Sequence, residues 1–469
     1  MRRVRFVAEE IAPPTVPPLD PADRNDLDGP ADVILRGGPI LTLRAPGDVA
    51  QAIAIRAGRI QWVGAEPLAL ARRGRVTRVI DLEGRALLPG FVVADWHPPV
   101  SLLCDWLEAD APPAAAAAAF TERSDEWLVL RTQAQSDRAH IAAMVATAQR
   151  PAALVDLEGT ILALSAAART TGAGRDAGDD AATPLSALLP AFLARLAVSR
   201  EPLRARLRRL FAESARCGVT TLRFCGLGTL AEEADFDIVR SAAGESPPLR
   251  LRGTLDARLA RRPGAQIPPG FGDDMFRVDT ATVWVEDGPA DAEALAETVR
   301  KLRGEGWRVT LHAGSPAALG LALAAFSAVR RTGHTLDAAD GFELRTSPST
   351  ETWAEIDGLG LSVGLTAPPC GVADLSRCTA TAVSASRDVM AGPPRPLDIF
   401  AGAPLTAAQW LPLVTTGGAA RCGAGGILGS LDIGKYADFA LLDSDPRETA
   451  DLARLQVSET WIGGRQASV

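Results

Sequence analysis

The chain has 469 residues, 47% of them apolar, a formal net charge of −8, six cysteines and only four histidines. That length suits one large domain with a smaller one, and the acidic balance argues against a nucleic-acid surface, which needs clustered Lys and Arg. No long apolar run of ~18 residues is present, so no membrane-spanning helix is expected.

The first 20 residues, MRRVRFVAEEIAPPTVPPLD, start basic, but Glu9 and Glu10 interrupt them and no apolar stretch follows. A secretory signal is therefore not expected, and residues 1–30 read as a Pro-rich tail or an arm laid over a neighbour. Cys104, Cys217, Cys225, Cys370, Cys378 and Cys422 form no CxxC pair. They read as reduced, mostly buried thiols of a cytoplasmic protein, and their spacing excludes a zinc ribbon.

From Ala31 the texture is short and β-rich: ADVILRGGPILTL and AIAIRAGRIQWVGA look like hairpins punctuated by glycine, and RVIDLEGRALLPGF adds a strand. The C-terminal runs KYADFALLDSD and VSETWIGGRQASV share that texture. One discontinuous sandwich built from residues 31–90 and 426–469 is the expectation; two unrelated β appendages are the alternative. Between them strands and helices alternate, as in a parallel sheet with helices outside. LRRLFAESARCGVTTLRFCG reads as a helix then a strand, and STETWAEIDGLG as a helix before LSVGLTAPP. DAEALAETVRKLRGEG has helical periodicity and stops on Gly304 and Gly306. WRVTLHA follows as a strand, and Ser315 with Pro316 opens the next helix. His312 thus falls at the carboxyl end of a strand, where barrel enzymes place reactive groups. APPAAAAAAF reads as a helix or lid segment.

RVIDLEGRALLPGFVVADWHP resembles the barrel-entry strand of metal-dependent amidohydrolases, which ends PGF-x-D-x-H-x-H, and GSLDIGKYADFALLDSDP resembles their closing segment. RAHIAAMVATAQRPAALVDLEGTILALSAAARTTG, TLHAGSPAALGLALAAF and SASRDVMAGPPRPLDIF are similar to runs of the long-chain amidohydrolase 3, or YtcJ-like, subgroup. The resemblance covers residues 31–469. It implies a (β/α)8 TIM-like barrel over residues 91–425, with an insertion around 100–200, plus the small composite β-sandwich.

The resemblance also implies a hydrolytic metal site, whose residues carry over one by one. The H-x-H pair falls at Asp95 and His97. Val283, in TVWVEDG, takes the place of the bridging lysine and ligates nothing. The strand-5 histidine matches His312. The strand-6 histidine position falls at Arg345, in FELR, and a guanidinium does not bind metal. The strand-8 aspartate matches Asp388, and the substrate-side histidine falls at Thr160. The implied metal ligands are Asp95, His97, His312 and Asp388, with Asp388 and His312 catalytic and Arg345 and Thr160 on the substrate side. At most one divalent metal, zinc by preference, is expected, and a hydrogen-bonded cluster without metal is the competing reading. His140 is expected on a helix surface. His334 is expected in a loop, unless the register there shifts it into the strand-6 position. Trp96 and Trp284 are expected to pack rather than to line the pocket. HAGSPAA carries a nonspecific phosphate-nest alternative.

Two functional readings follow. One is a hydrolase of an amide or cyclic-amide C–N bond in a small molecule, in which Asp388 takes a proton from water and His312 polarises the carbonyl or holds the leaving group. The other is a catalytically silent relative that binds a small ligand or serves as a partner subunit. The expected partners are a small-molecule substrate and, in a homodimer, a second copy of the chain; neither nucleic acid nor membrane is expected.

Overall fold

The computed structural model describes residues 27–98, 102–108, 126–132, 138–156, 160–171, 200–229, 234–262, 267–286, 291–344, 348–365, 395–399, 405–449 and 452–467, with short pieces between 183 and 193 and at 383–385. Residues 1–26, the 111–120 alanine run, Arg345 and Asp388 lie outside the described residues.

Five strands come first: β1 (Val33–Leu41), β2 (Val49–Arg56), β3 (Arg59–Gly64), β4 (Arg78–Asp81) and β5 (Ala86–Pro89). The chain enters the barrel on β6 (Phe91–Trp96) and then leaves it for β7 (Asp105–Glu108), β8 (Leu128–Arg131), β9 (Ala152–Val155) and β10 (Ile161–Leu164). It returns with β11 (Val219–Leu227), β12 (Arg250–Asp256), the short β13 (Phe271–Gly272), β14 (Phe276–Val285), β15 (Arg308–Ala313), β16 (Gly341–Leu344), β17 (Ser362–Leu365) and β18 (Val383–Ala385). The last three strands are β19 (Phe439–Leu442), β20 (Val457–Ile462) and β21 (Arg465–Gln466).

Strands from both chain ends make one sheet, in the order β21-β20-β19-β5-β1-β2-β3 with β4 beside β1. Its core is Leu35, Ile53, Ile55, Leu87, Phe439 and Trp461 among others, and the Phe439 and Trp461 rings stack at 5.3 Å. Alternation explains the pattern, since every second side chain of a strand shares a face. A buried ion pair from Arg250 on β12 to Asp438, at 2.6 Å and 3.1 Å, fastens this sheet to the barrel. Gly90 sits at the junction, where an added Cβ would lie 2.2 Å from the Thr220 side chain, so the two units touch backbone to side chain there.

The barrel strands run β18-β17-β16-β15-β14-β12-β11-β6, every adjacent pair parallel. The first and last strands face each other without a ladder among the described residues, so the barrel is nearly closed. This is the expected TIM-like fold. All nine residues of β11 are buried, as a parallel strand covered on both faces requires. The covering helices follow local rules. Asp291 caps the helix Ala292–Gly304 by accepting from Glu293 N, and Ser315 caps Pro316–Arg331 by accepting from Ala318 N. The excursion β7–β10 is its own four-stranded sheet. Asp105 on β7 ties it down by accepting from Arg150 at 2.5 Å and from Arg206, on the helix Glu201–Arg216, at 2.7 Å.

Candidate active site

Parallel register decides which side chains meet inside the barrel. Trp284 pairs with His312, and His312 with Glu343, so the three stand side by side at the carboxyl ends of β14, β15 and β16. His97 follows β6 by one residue and completes the group. Its Nε2 forms a short hydrogen bond to Glu343 Oε1, and His312 Nε2 lies 3.9 Å from the same oxygen. The Trp284 ring packs on the His312 ring at 4.3 Å and on the His97 ring at 5.8 Å. From β11, Cys225 brings its Sγ up, so that donor atoms of His97, Cys225 and Glu343 all lie within 4.8 Å of one another. Among the described residues this is the only such group of three.

Glu343 is the buried charge at the centre, with its side chain 1% exposed. Burial raises its pKa, but the charge of His97 and the hydrogen bond from it outweigh that, so the carboxyl is held below its ordinary value. An ionised carboxylate only accepts; His97 Nε2 therefore carries the proton that the two groups share. Glu343 Oε2 is buried without a hydrogen-bond partner among the described residues. An orphaned carboxylate oxygen is costly unless something positive or hydrogen-bonding reaches it.

One layer deeper the chemistry changes. Asp95 lies two residues before His97 and faces the same interior. Both its oxygens accept from Arg421 Nε, at 2.7 and 2.8 Å, and Oδ1 also accepts from Arg223 at 3.5 Å. Arg421 continues to Ser362 Oγ at 3.1 Å, and Arg223 to Thr310 Oγ1 at 3.1 Å and to the Arg421 carbonyl at 2.8 Å. Burial depresses the Arg223 pKa, and the Asp95 carboxylate more than restores it. Gly364 on β17 makes room for this cluster: a Cβ there would sit 2.2 Å from Asp95 Oδ2 and 2.7 Å from Arg421 Nε.

The structure thus brings His97 and His312 together and engages Asp95 with two arginines. Thr160 lies in the excursion sheet, where its amide donates to Asp156 Oδ1 at 2.7 Å. Arg345 and Asp388 are outside the described residues. Two expectations need correction, while His334 lies in a loop as expected. The side chain that reaches the site from β14 is Trp284, while Val283 packs against the main hydrophobic core; adjacent strand residues face opposite ways. For the same reason Trp284 lines the site instead of merely packing, whereas Trp96 does pack, edge-on to Phe224 at 5.2 Å. His334 is exposed in the loop after the helix Pro316–Arg331 and accepts from or donates to Thr332 Oγ1 at 3.2 Å. That loop precedes β16, at the opposite barrel end from His312. The sequence reading missed Glu343, Cys225, Arg223 and Arg421. Strand alternation in GFEL and RFC was the available signal for the first two.

The described site can therefore offer imidazole, thiol and carboxylate donors to one cation, a set that suits zinc-type coordination, and the orphaned Glu343 oxygen fits that use. Among the described residues no second group of three such donors lies beside it to hold a second cation.

No curated protein sequence matches the chain. Among solved structures it is similar to an uncharacterized metal-dependent hydrolase from Pyrococcus furiosus, at 16% identity and a TM-score of 0.68 over 89% of this chain and 100% of that one. It is also similar to an adenosine deaminase from Xanthomonas campestris with bound zinc, at 16% identity and a TM-score of 0.60 over 93% of each chain. The atrazine chlorohydrolase from Arthrobacter aurescens complexed with zinc aligns at 15% identity and a TM-score of 0.56, covering 92% of this chain and 94% of that one. These likenesses are of fold. The amidohydrolase family model matches residues 78–366 and 398–467, which span both parts of the composite sheet's junction and nearly all of the barrel, so the chain belongs to the amidohydrolase family.

Proposed function

We propose that the protein is a hydrolase of a C–N bond, in an amide or cyclic amide of a small molecule, that works with at most one divalent metal, zinc by preference. The observation that supports it most is the convergence of His97, His312 and Glu343 at the carboxyl ends of the barrel strands, with one Glu343 oxygen buried and without a hydrogen-bond partner among the described residues. His97 Nε2 and Glu343 would hold the ion, and His312 beside them is kept for the substrate. When bound, a divalent ion supplies Lewis acidity to a scissile carbonyl and acidity to a water molecule. Asp95 stays outside this set, because two guanidiniums already occupy its oxygens and repel a third cation.

The chain's own groups do the rest. Until an ion binds, Glu343 fixes the His97 ring through Nε2. Trp284 holds the His312 ring in place and shields it from water on one side. His312 orients the carbonyl or the leaving nitrogen. Asp388 carries the proton-acceptor role of its motif, taking a proton from water at a carboxylate oxygen and returning it to the leaving amine. The neutralised Asp95 favours a second reading, a silent relative that binds a small ligand. The two separate on one experiment: load the protein with excess zinc, desalt it, measure metal content, and then screen cyclic and N-acylated amides. The proposal expects about one zinc per chain and turnover lost in Asp388→Asn. Two tightly held zinc ions, or one zinc with no turnover of any amide, would overturn it.

A further inference from the structure

The Cys225 thiol has no place in the reaction just described, yet it stands in the same group of donors. Cys225 is 1% exposed, on an inward position of β11 two residues above Arg223. Its Sγ takes a side-chain hydrogen bond from the Arg223 guanidinium and otherwise lies at long range from two carbonyls, those of Ala94 at 4.0 Å and Arg223 at 3.8 Å. Both are weak for sulfur. Its ligand atom nevertheless lies within 4.8 Å of those of His97 and Glu343. In a tetrahedral zinc site, bond lengths of ~2.0–2.3 Å put neighbouring ligand atoms about 3.6 Å apart. Shifts of no more than about 1 Å, closing the wider pairs and opening the short His97–Glu343 contact, would therefore fit the set around one ion. The second observation is the Glu343 side chain, 1% exposed, whose Oε2 is buried without a hydrogen-bond partner among the described residues.

We infer that Cys225 is a thiolate ligand of the single cation, which it shares with His97 and Glu343, making this a site for a thiophilic divalent ion such as zinc or cobalt. The inference rests on the one-ion reading above but not on any hydrolytic step. A sulfur donor excludes magnesium and calcium, which take oxygen ligands, and favours zinc, cobalt and cadmium. The ion enters as a dication and the thiol proton leaves to solvent, so the sulfur–metal bond forms as the S–H bond breaks heterolytically.

The test uses the full chain stripped of metal and titrated with cobalt(II). Absorption reads two things: visible ligand-field bands report any bound cobalt, and a near-ultraviolet sulfur-to-cobalt charge-transfer band reports a thiolate ligand. Wild type and Cys422→Ser are expected to bind one cobalt each and to show the charge-transfer band. Cys225→Ser and Cys225→Ala are expected to lose that band and to bind zinc at least about 100-fold more weakly, a larger loss than removal of an outer-shell partner. Far-ultraviolet circular dichroism of the two variants checks that they fold, and the serine variant covers a failure of the alanine one. One cobalt bound equally by wild type and Cys225→Ser, with no charge-transfer band in either, would overturn the thiolate while leaving the one-ion reading standing. No cobalt bound by any of the four chains would overturn both.

Discussion

Removing the Asp95 carboxylate should damage the protein more than removing the arginine that pairs with it. Asp95 and Arg421 have side chains with no exposed surface, and Arg223 is 1% exposed. Two cations and one anion are therefore buried together. With charge centres ~4 Å apart and an effective dielectric near 20, the Asp95–Arg421 attraction is about 4 kcal/mol, and the longer Asp95–Arg223 contact about 3 kcal/mol. The contacts of 2.7 and 3.5 Å to one Oδ1 atom leave the two guanidiniums no more than ~6 Å apart, a repulsion of about 2–3 kcal/mol. Arg421→Met loses the first attraction but relieves that repulsion, and it forfeits a hydrogen bond to Ser362 worth about 1 kcal/mol. The expected cost is about 2–3 kcal/mol. Asp95→Asn loses both attractions and keeps the repulsion, at a cost of at least about 4 kcal/mol. At roughly 2 °C per kcal/mol for a chain of this size, differential scanning calorimetry at one scan rate should rank Asp95→Asn below Arg421→Met. Gly364→Ala, which drives a Cβ to 2.2 Å from Asp95 Oδ2, should fall between wild type and Asp95→Asn. Arg421→Met melting at or below Asp95→Asn would refute the charge count.

Two further outcomes are expected. The buried Asp340 carboxyl is pushed up from 3.8 to about 6, by burial and then by the Asp337 charge. Its folded pKa lies above the unfolded one, so the stability it contributes is present below pH 3.8 and lost as pH rises through about 6, a swing of about 3 kcal/mol. Asp340→Asn should flatten the stability profile between those pH values by that amount in urea unfolding; an unchanged difference across pH 4–7 would contradict it. Trp284 is 37% exposed but packs on His312. Trp284→Ala should therefore leave the melting temperature within a few degrees of wild type while weakening substrate binding about fivefold, from the loss of about 1 kcal/mol of ring contact, read as a change in KM for any amide turned over.

The parts of the site that were legible in the sequence are those set by one strand end. His97 closes ADWHP and His312 closes VTLHA, and each lands where a strand hands over to its loop. Glu343 was hidden because FELR was matched on its last letter, Arg345, while the ladder pairs His312 with Glu343. A four-letter strand places either its second and fourth residues or its first and third inside, and composition does not choose. Trp284 against Val283 is the same one-residue ambiguity. Arg421 could not be read at all, since its partner Asp95 is 326 residues away in the chain and nothing local to RCGAG marks a buried cation. Cys225 was correctly read as a buried thiol, but which thiol meets which imidazole depends on barrel closure, a property of all the strands together. The fold was legible earlier than the site because helix caps such as Ser315 and strand alternation repeat throughout the chain, whereas each site residue occurs once.

The shared sheet also sets a timetable for synthesis. β5 lies between β1 and β19, meeting β1 through one residue pair, Ile40 with Leu87, but β19 through four, from Ala86 to Pro89. Roughly 350 residues of chain separate β5 from β19, which at ~5–20 residues per second is roughly 20–70 s of translation. Through that interval the amino-terminal strands wait with Leu87 and Leu88 uncovered and one backbone edge unpaired, an invitation to pair with a neighbouring nascent chain. The barrel is complete in sequence by the helix at 416–421, before β19 closes the sheet that anchors it. Chaperone demand during expression should accordingly track the uncovered amino-terminal strands rather than the larger barrel.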